Sequence, residues 1–545
     1  MQNKISKTIL ILFLSVYSYF SVAQRLDSPF YDYLIGLDKN LDRSKVEHMK
    51  INIFNGNLPE NLKDFTNLRE LQISGNVNQS GFGALKDLPN LEKLYIYPMN
   101  LVEIPIELKN LKKLKVLHIS ANEKLTNISV LSELVALEEL DLSFLSITEF
   151  PKELKSLNKL KILRIRIKQA LKNFDVLLSC PEIEELTLRF PIEAIPDELG
   201  ELKNLRTLDI ILTEENAYLN ASGMKNLSQI ETLILDQNGF KKLPSGIQHL
   251  KNLRVLKINS CYQLETLEGL ESLTNLEEIE ATHSKISIIP RDFSNLKKLK
   301  YLNLESNGPF QDLSGLKDLP NLEFLNITAC KINTIPSEIG NLKSLKSLNL
   351  KNNPMLRDYS VLGKLPQLTE LNLFAHRFSE LPEEIKKLTN LKILILDYCE
   401  NLKDYSSLAY LTNLEELSLR YCKLSEIPKE VALLKKMKKF VLASNRENIH
   451  REDIIAVSDI SALLKLSNLE VLILHDCDIR ILPEELKFLN KLREIELVNC
   501  PFLYDIDVLF ELTKIERIAV SGIRISIAEF EKLVATFPNA QVTKF

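Results

Sequence analysis

Leu345, Leu348 and Leu350 spell L-x-x-L-x-L, and Leu368, Leu371 and Leu373 spell it again 23 residues later. Within each motif the fourth and sixth residues are apolar and turned inward, while the third, fifth and seventh point the other way. That is the period-two signature of a strand with one buried face. Twenty such motifs follow one another between Leu68 and Ile515, most of them 23 residues apart. A repeat of this length predicts a solenoid, whose units bury their apolar sides against their neighbours and not within themselves. The expected fold is α/β, with one parallel strand per repeat and an arm returning outside the sheet.

The arms alternate between two kinds. One opens on a proline nine residues before the strand, as at Pro290, Pro336, Pro382 and Pro428. Proline suits a first helical turn, where its missing N–H would be unpaired anyway, so a short helix is expected after it. The other kind has Ser129, Ser314, Ser360, Ser406, Ser461, Asp175 or Asp507 eight residues before the strand, and these are N-capping residue types. The true unit is therefore a pair of repeats of about 46 residues, as in Pro336–Leu381.

Four spans organise the chain. Residues 1–23 read as a secretory signal, with Lys4 and Lys7 ahead of the apolar run Thr8–Phe20 and Ser21-Val22-Ala23 as cleavage site. That run is shorter than the roughly 20 residues a spanning helix needs. Residues 24–53 form an N-terminal cap, with a degenerate first strand from Val46. Residues 54–526 hold the repeats, and 527–545 form a C-terminal cap with a closing helix and a last edge strand. Two intervals are too long, around Thr213–Ser222 and at Ser444–Asp459. Extra residues there must loop out, as neutral insertions or as a flap over a ligand.

Stretches such as LPEEIKKLTNLKILIL, Leu381 to Leu396, carry a resemblance. The chain resembles leucine-rich-repeat proteins, and more narrowly the repeats of Scribble-type scaffolds and Ras-group leucine-rich-repeat proteins, over about residues 46–545. The resemblance implies a right-handed arc with one continuous parallel sheet on its concave face and short helices or turns outside. It also implies binding of proteins or peptides on that concave face. The exported location departs from those relatives, so their intracellular partners do not carry over.

The 545-residue chain has a net charge of −4. Removing the signal would take away two lysines and no acid, which gives no support for nucleic-acid binding, since that usually needs a basic face. Glycine is scarce (15 residues) and tryptophan absent, so phosphate-cradling loops are not expected. Of the seven cysteines, Cys261, Cys330, Cys399, Cys422, Cys477 and Cys500 hold the ninth motif place, which Asn122, Asn238, Asn307 and Asn353 hold elsewhere. A cysteine fills such a slot as a small hydrophobe with a weak donor. Cys399–Cys422 and Cys477–Cys500, on neighbouring strands, are also close enough to pair as disulfides.

Catalytic signals are sparse. His118, Ser120 and Asp141 fall near one another when repeats are stacked, but a sheet surface offers no obvious oxyanion donors. His475-Asp476-Cys477-Asp478 has metal-ligand letters, with His475 and Cys477 expected on opposite faces. Glu278 and Glu280 read as a solvated acidic patch, and Arg164, Arg166 and Arg189 as a basic spot. The concave face is more informative. Asn303, Asn326, Asn349 and Asn372 form its middle column beside Tyr301, Phe324 and Phe374. They could bond a peptide backbone or sugar hydroxyls, or bond one another. Ile393, Ile395, Val441, Val471 and Ile473 form an outward apolar row fit for a partner.

The expectation is a monomeric, non-catalytic binding module without cofactor or metal. It would be exported to the periplasm, cell surface or medium, and would hold a protein or peptide, with a glycan as a further option. A structural or adhesive role at the cell envelope is the alternative.

Overall fold

A computed structural model describes residues 43–97, 99–212, 221–443 and 457–544. The candidate signal, most of the N-terminal cap, residues 213–220 and residues 444–456 of the long insert lie outside the described residues. The described part forms 22 strands, and their pairings are parallel. Packing divides the described residues into two units, one up to residue 147 with 151–163, the other 148–150 with those from 164 onward.

In the first unit His48–Gly56 pairs with Glu70–Val77, and Lys93–Ile96, Val116–His118 and Glu139–Asp141 follow in chain order. In the second, Glu185–Ile192 pairs with Thr207–Leu212, and each later strand joins the one before it as far as Arg517–Ser521 and Gln541–Lys544. Register is set by the motif, so the fifth position always meets the fifth, as in Asn326↔Asn349. The first, fourth and sixth positions are the core: Leu345, Leu348 and Leu350 are buried, as are their counterparts in neighbouring repeats. Each such leucine contributes about 1.5–3 kcal/mol through burial.

The arms differ from expectation in detail. They are mostly 3-10 helices of three to six residues, such as Ser337–Asn341 and Glu383–Lys387. Proline stands one residue before the helix in extended conformation, and its carbonyl accepts the first bond, as in Ile339 N–H to Pro336 O at 3.1 Å. In the alternate arms the serine is the first helical residue and its side chain caps nothing. The cap lies two residues upstream, where Asp312, Asp358, Asp404 and Asp459 each accept the serine N–H at 2.8 Å. These bonds hold the carboxyls of Asp312, Asp358 and Asp404 below the usual carboxylate range. The closing helix is α, Ile527–Thr536, with a capping box between Ser526 and Glu529.

Two periodic devices tie repeat to repeat. At the eighth motif position of most repeats the backbone turns left-handed, with φ +55° at Ala329, +57° at Asn352 and +59° at Tyr398. That strain, about 1–2 kcal/mol for a non-glycine residue, is offset by a ladder bond, as when Ala375 N–H donates to Asp397 O at 2.8 Å. At the ninth position of most repeats the side chain donates to a carbonyl of the preceding repeat, commonly 26 residues earlier. Asn353 does so to Ile327 O (2.9 Å), Cys399 Sγ to Leu373 O (3.2 Å) and Cys422 Sγ to Leu396 O (3.1 Å). All seven cysteines are buried thiols, and burial pushes that of Cys399 up to about 12.

The second motif position carries a charge ladder. It is basic in the proline-led repeats, as at Arg254, Lys300, Lys346, Lys392 and Lys438, and acidic in the others, as at Glu231, Glu277, Glu323 and Glu415. Glu277 lies 2.9 Å from both Arg254 and Lys300, and Glu415 lies 3.4 Å from Lys392 and 2.6 Å from Lys438. Lys300 and Lys438 are the main reasons the carboxyls of Glu277 and Glu415 are held low.

Candidate functional site

The outward sheet face of the second unit gathers most of the residues singled out above. Asn303, Asn326, Asn349, Asn372, Ile395, Ser418, Val441 and Ile473 form one column, each register partner of the next. Beside it, at the third position, Tyr301 and Phe324 stack with ring centroids 4.4 Å apart and planes 3° from parallel. Burial pushes the Tyr301 hydroxyl up to about 12.

The asparagines do not form a ladder among themselves. Each amide oxygen accepts the N–H two residues on along its own strand: Asn303 from Glu305 (3.1 Å), Asn349 from Lys351 (3.1 Å) and Asn372 from Phe374 (3.0 Å). Asn326 accepts both the N–H and the hydroxyl of Thr328, at 2.9 and 2.6 Å, and donates to Glu305 at 3.2 Å. The oxygens are thus committed to holding the strand end, and what Asn303, Asn349 and Asn372 keep for other partners is their amide donors. Phe374 stands apart from Tyr301 and Phe324. It lies beneath Lys351 Nζ (4.4 Å) and continues into Tyr398 and Tyr421, at centroid distances of 4.8 and 4.6 Å. A recess of about 460 Å³ opens beside this aromatic run, between Asn352, Pro354, Arg377, Tyr398 and Glu400.

The apolar row needs correction. Val441 is 1% and Ile473 8% exposed, and Ile393, Ile395 and Val471 are half-buried. The same holds for Asn326 and Asn349 in that column, because each side chain is flanked at one strand spacing by neighbours on both sides. Outward does not mean wet.

Of the Arg164, Arg166 and Arg189 spot, Arg189 and Arg164 are also committed, while Arg166 is exposed. Arg189 Nε sits 2.6 Å from Asp209 and its guanidinium reaches the Asp236 carboxylate (3.9 Å) and carbonyl (2.9 Å), while Arg164 faces Glu185 at 3.8 Å. Burial pushes the Asp209 and Asp236 carboxyls up, and Arg189 opposes it. Glu278 and Glu280 are not a solvated patch. Lys257 holds Glu280 at 3.0 Å and, with Asn259, keeps its carboxyl low despite burial, whereas burial and the bond to Glu280 push Glu278 up.

His118 and Asp141 are register partners, as the stacking of repeats predicts, but their side chains are spent elsewhere. His118 bonds Glu139 (2.8 Å) and lies edge-on to Tyr95, while Asp141 accepts the Ser143 N–H. His475 meets Glu496 at 3.2 Å, and Cys477 is buried behind it. His376 is the residue that motif reading overlooked. It occupies the ninth slot, buried, with Nε2 2.9 Å from Leu350 O and Nδ1 2.7 Å from the Tyr359 hydroxyl. Burial lowers its pKa to about 4. Its place 23 residues after Asn353 was the available signal.

Parallel strands in a fixed 23-residue register, with 3-10 arms and an Asn/Cys slot, make up a leucine-rich-repeat fold. The family model for the leucine-rich repeat matches residues 321–342 and 413–434. No curated protein matches by sequence. Among solved structures, TLR13 in its complex with ssRNA13 is similar at 21% identity over 87% of this chain and 81% of that one, with TM-score 0.59. A leucine-rich-repeat protein of Leptospira interrogans is similar at 19% identity over 92% and 96%, with TM-score 0.42. The plant peptide hormone receptor RGFR1 with RGF2 is similar at 19% over 91% and 94%, with TM-score 0.37. At these identities the likeness is one of fold. No helix among the described residues is long and apolar enough to cross a membrane.

Proposed function

We propose that the chain is a non-catalytic module that binds a protein or peptide on the outward sheet face around Tyr301–Asn372, outside the cytoplasm. The observation that carries this is the Tyr301–Phe324 stack set against the asparagine column. It joins a half-buried aromatic platform to side-chain amides whose oxygens are already occupied. An extended peptide offers what this surface lacks, a row of carbonyl acceptors at strand spacing, with side chains for the aromatic rings. That TLR13, which shares this fold, is solved in complex with ssRNA13 accords with a binding role for it. The export half of the proposal rests on residues 1–23 and is tested by N-terminal sequencing of the mature protein, which should begin at Gln24.

The sheet face is tested by capture from the envelope fraction, mass spectrometry of what is retained, and titration of the identified partner. Asn303→Arg with Phe324→Asp, both half-buried and not core, should weaken that partner at least tenfold with an unchanged circular dichroism spectrum. Undiminished affinity would put the ligand elsewhere, with the recess at Tyr398 next to be tested.

A further inference from the structure

We propose that the gap in the charge ladder at Thr369 is the seat for a carboxylate of the partner, an Asp or Glu side chain flanked by neutral residues. This rests on the partner-binding reading above and locates one contact of it. In the second unit the ladder alternates base and acid, as in Arg254–Glu277–Lys300 and Lys392–Glu415–Lys438. At Lys346–Thr369–Lys392 the acid is missing. The Thr369 hydroxyl donates instead to Lys346 O at 3.1 Å.

Lys346 pairs with Glu323 on its far side (2.8 Å), and Lys392 shares Glu415 with Lys438. Both lysines stay more than half exposed, at 58% and 55% of the side chain. They stand two strand spacings apart, roughly 9.6 Å, and where Glu277 occupies the equivalent place one carboxylate bridges both bases. A recess of about 210 Å³ opens on the Lys392 side of the gap, running from Thr369 and Glu370 past Ile393 to Glu416, Lys438 and Lys439, so that Lys346 borders the gap from outside it. Ile393 offers apolar surface for the methylenes of an incoming acid. Glu416 is neutralised by Lys439 at 2.8 Å, while exposed Glu370 opposes a second negative charge, so a single acid fits better than an acidic run.

The probe is a capped peptide with one glutamate between alanine and valine residues, compared with its glutamine counterpart at low salt. The readout is the NMR shift of 13C-methylated Lys346 and Lys392. The glutamate peptide should give a saturable shift at both lysines, and should bind at least tenfold more weakly when glutamate is replaced by glutamine or when the protein carries Thr369→Glu. Thr369→Glu restores the missing rung, so its melting midpoint should equal or exceed that of the unsubstituted protein. Equal response to both peptides, or an undiminished response in Thr369→Glu, overturns the proposal. Phe324→Asp should leave the peptide response intact. If the peptide fails while partner binding still depends on Phe324, this inference falls and the sheet-face reading stands.

Discussion

Two runs of strands on one sheet face, Arg189–Glu280 and Tyr301–Phe374, occupy the same motif positions and meet opposite fates. In the first, Arg189 joins Asp209 and Asp236, and Lys257 joins Glu280, so the polar groups are spent on each other. In the second, the asparagines spend their oxygens on their own strands, Asn326 also donating across to Glu305, and a stacked aromatic pair stays half-buried beside them. Partly buried ions must be paired to be tolerated, which closes the first run to a ligand. Neutral amides carry no such demand. The difference separates a region built to hold itself together from one able to hold something else.

The sharpest way to break this contrast is to remove Arg189. Arg189→Ala strands two carboxylates that burial already pushes up, and should cost about 3–5 kcal/mol in denaturant unfolding. Acids whose folded pKa is raised are best tolerated when protonated and cost stability as pH rises through that pKa. The loss should therefore be smaller near pH 4.5 than at pH 7.5. Arg189→Met with Asp209→Leu should recover part of it.

His376 comes next. His376→Ala removes two buried hydrogen bonds and should cost about 2 kcal/mol, while His376→Asn, restoring the usual donor, should cost less than half that. Its folded pKa of about 4 lies below the unfolded value of about 6.5. The unfolded chain thus binds the extra proton between those limits, and stability is lost as pH falls from 6.5 to 4. His376→Asn should flatten that limb of the pH–stability curve.

On the other side of the contrast, Asn349→Ala should cost about 1 kcal/mol by orphaning the Lys351 N–H. Asn349→Asp should cost less, because Asp141 accepts the equivalent bond from Ser143 in another repeat. The smallest effect is expected at the exposed Asp358. Asp358→Ala should lower the melting midpoint slightly at neutral pH and not at all below the pKa of its carboxyl, since a depressed carboxylate contributes only when ionised.

Much of the repeat could be read directly. Leu345, Leu348 and Leu350 needed only a period of 23 to be placed in the core, and the closing helix at Ile527 was plain from its pattern. The caps lie two residues upstream of the serines, because serine at a helix start competes with aspartate at D-x-S and only the backbone direction shows which oxygen meets the N–H. The alternating rungs were written at the second position but 23 residues apart, where neighbouring letters give no hint of them. Phe374 and Phe324 are both outward aromatics in the sequence, yet they lie at opposite ends of their strands, and ring contact is decided by distance.

The sequence by itself determined the strand positions, the core and the repeat register, because each follows from local periodicity copied twenty times. Only the tertiary structure decided which outward side chains are spent on one another. That depends on stacking at one strand spacing, which buries Val441, pairs Arg189 with Asp209 and turns the asparagine oxygens back onto their own strands.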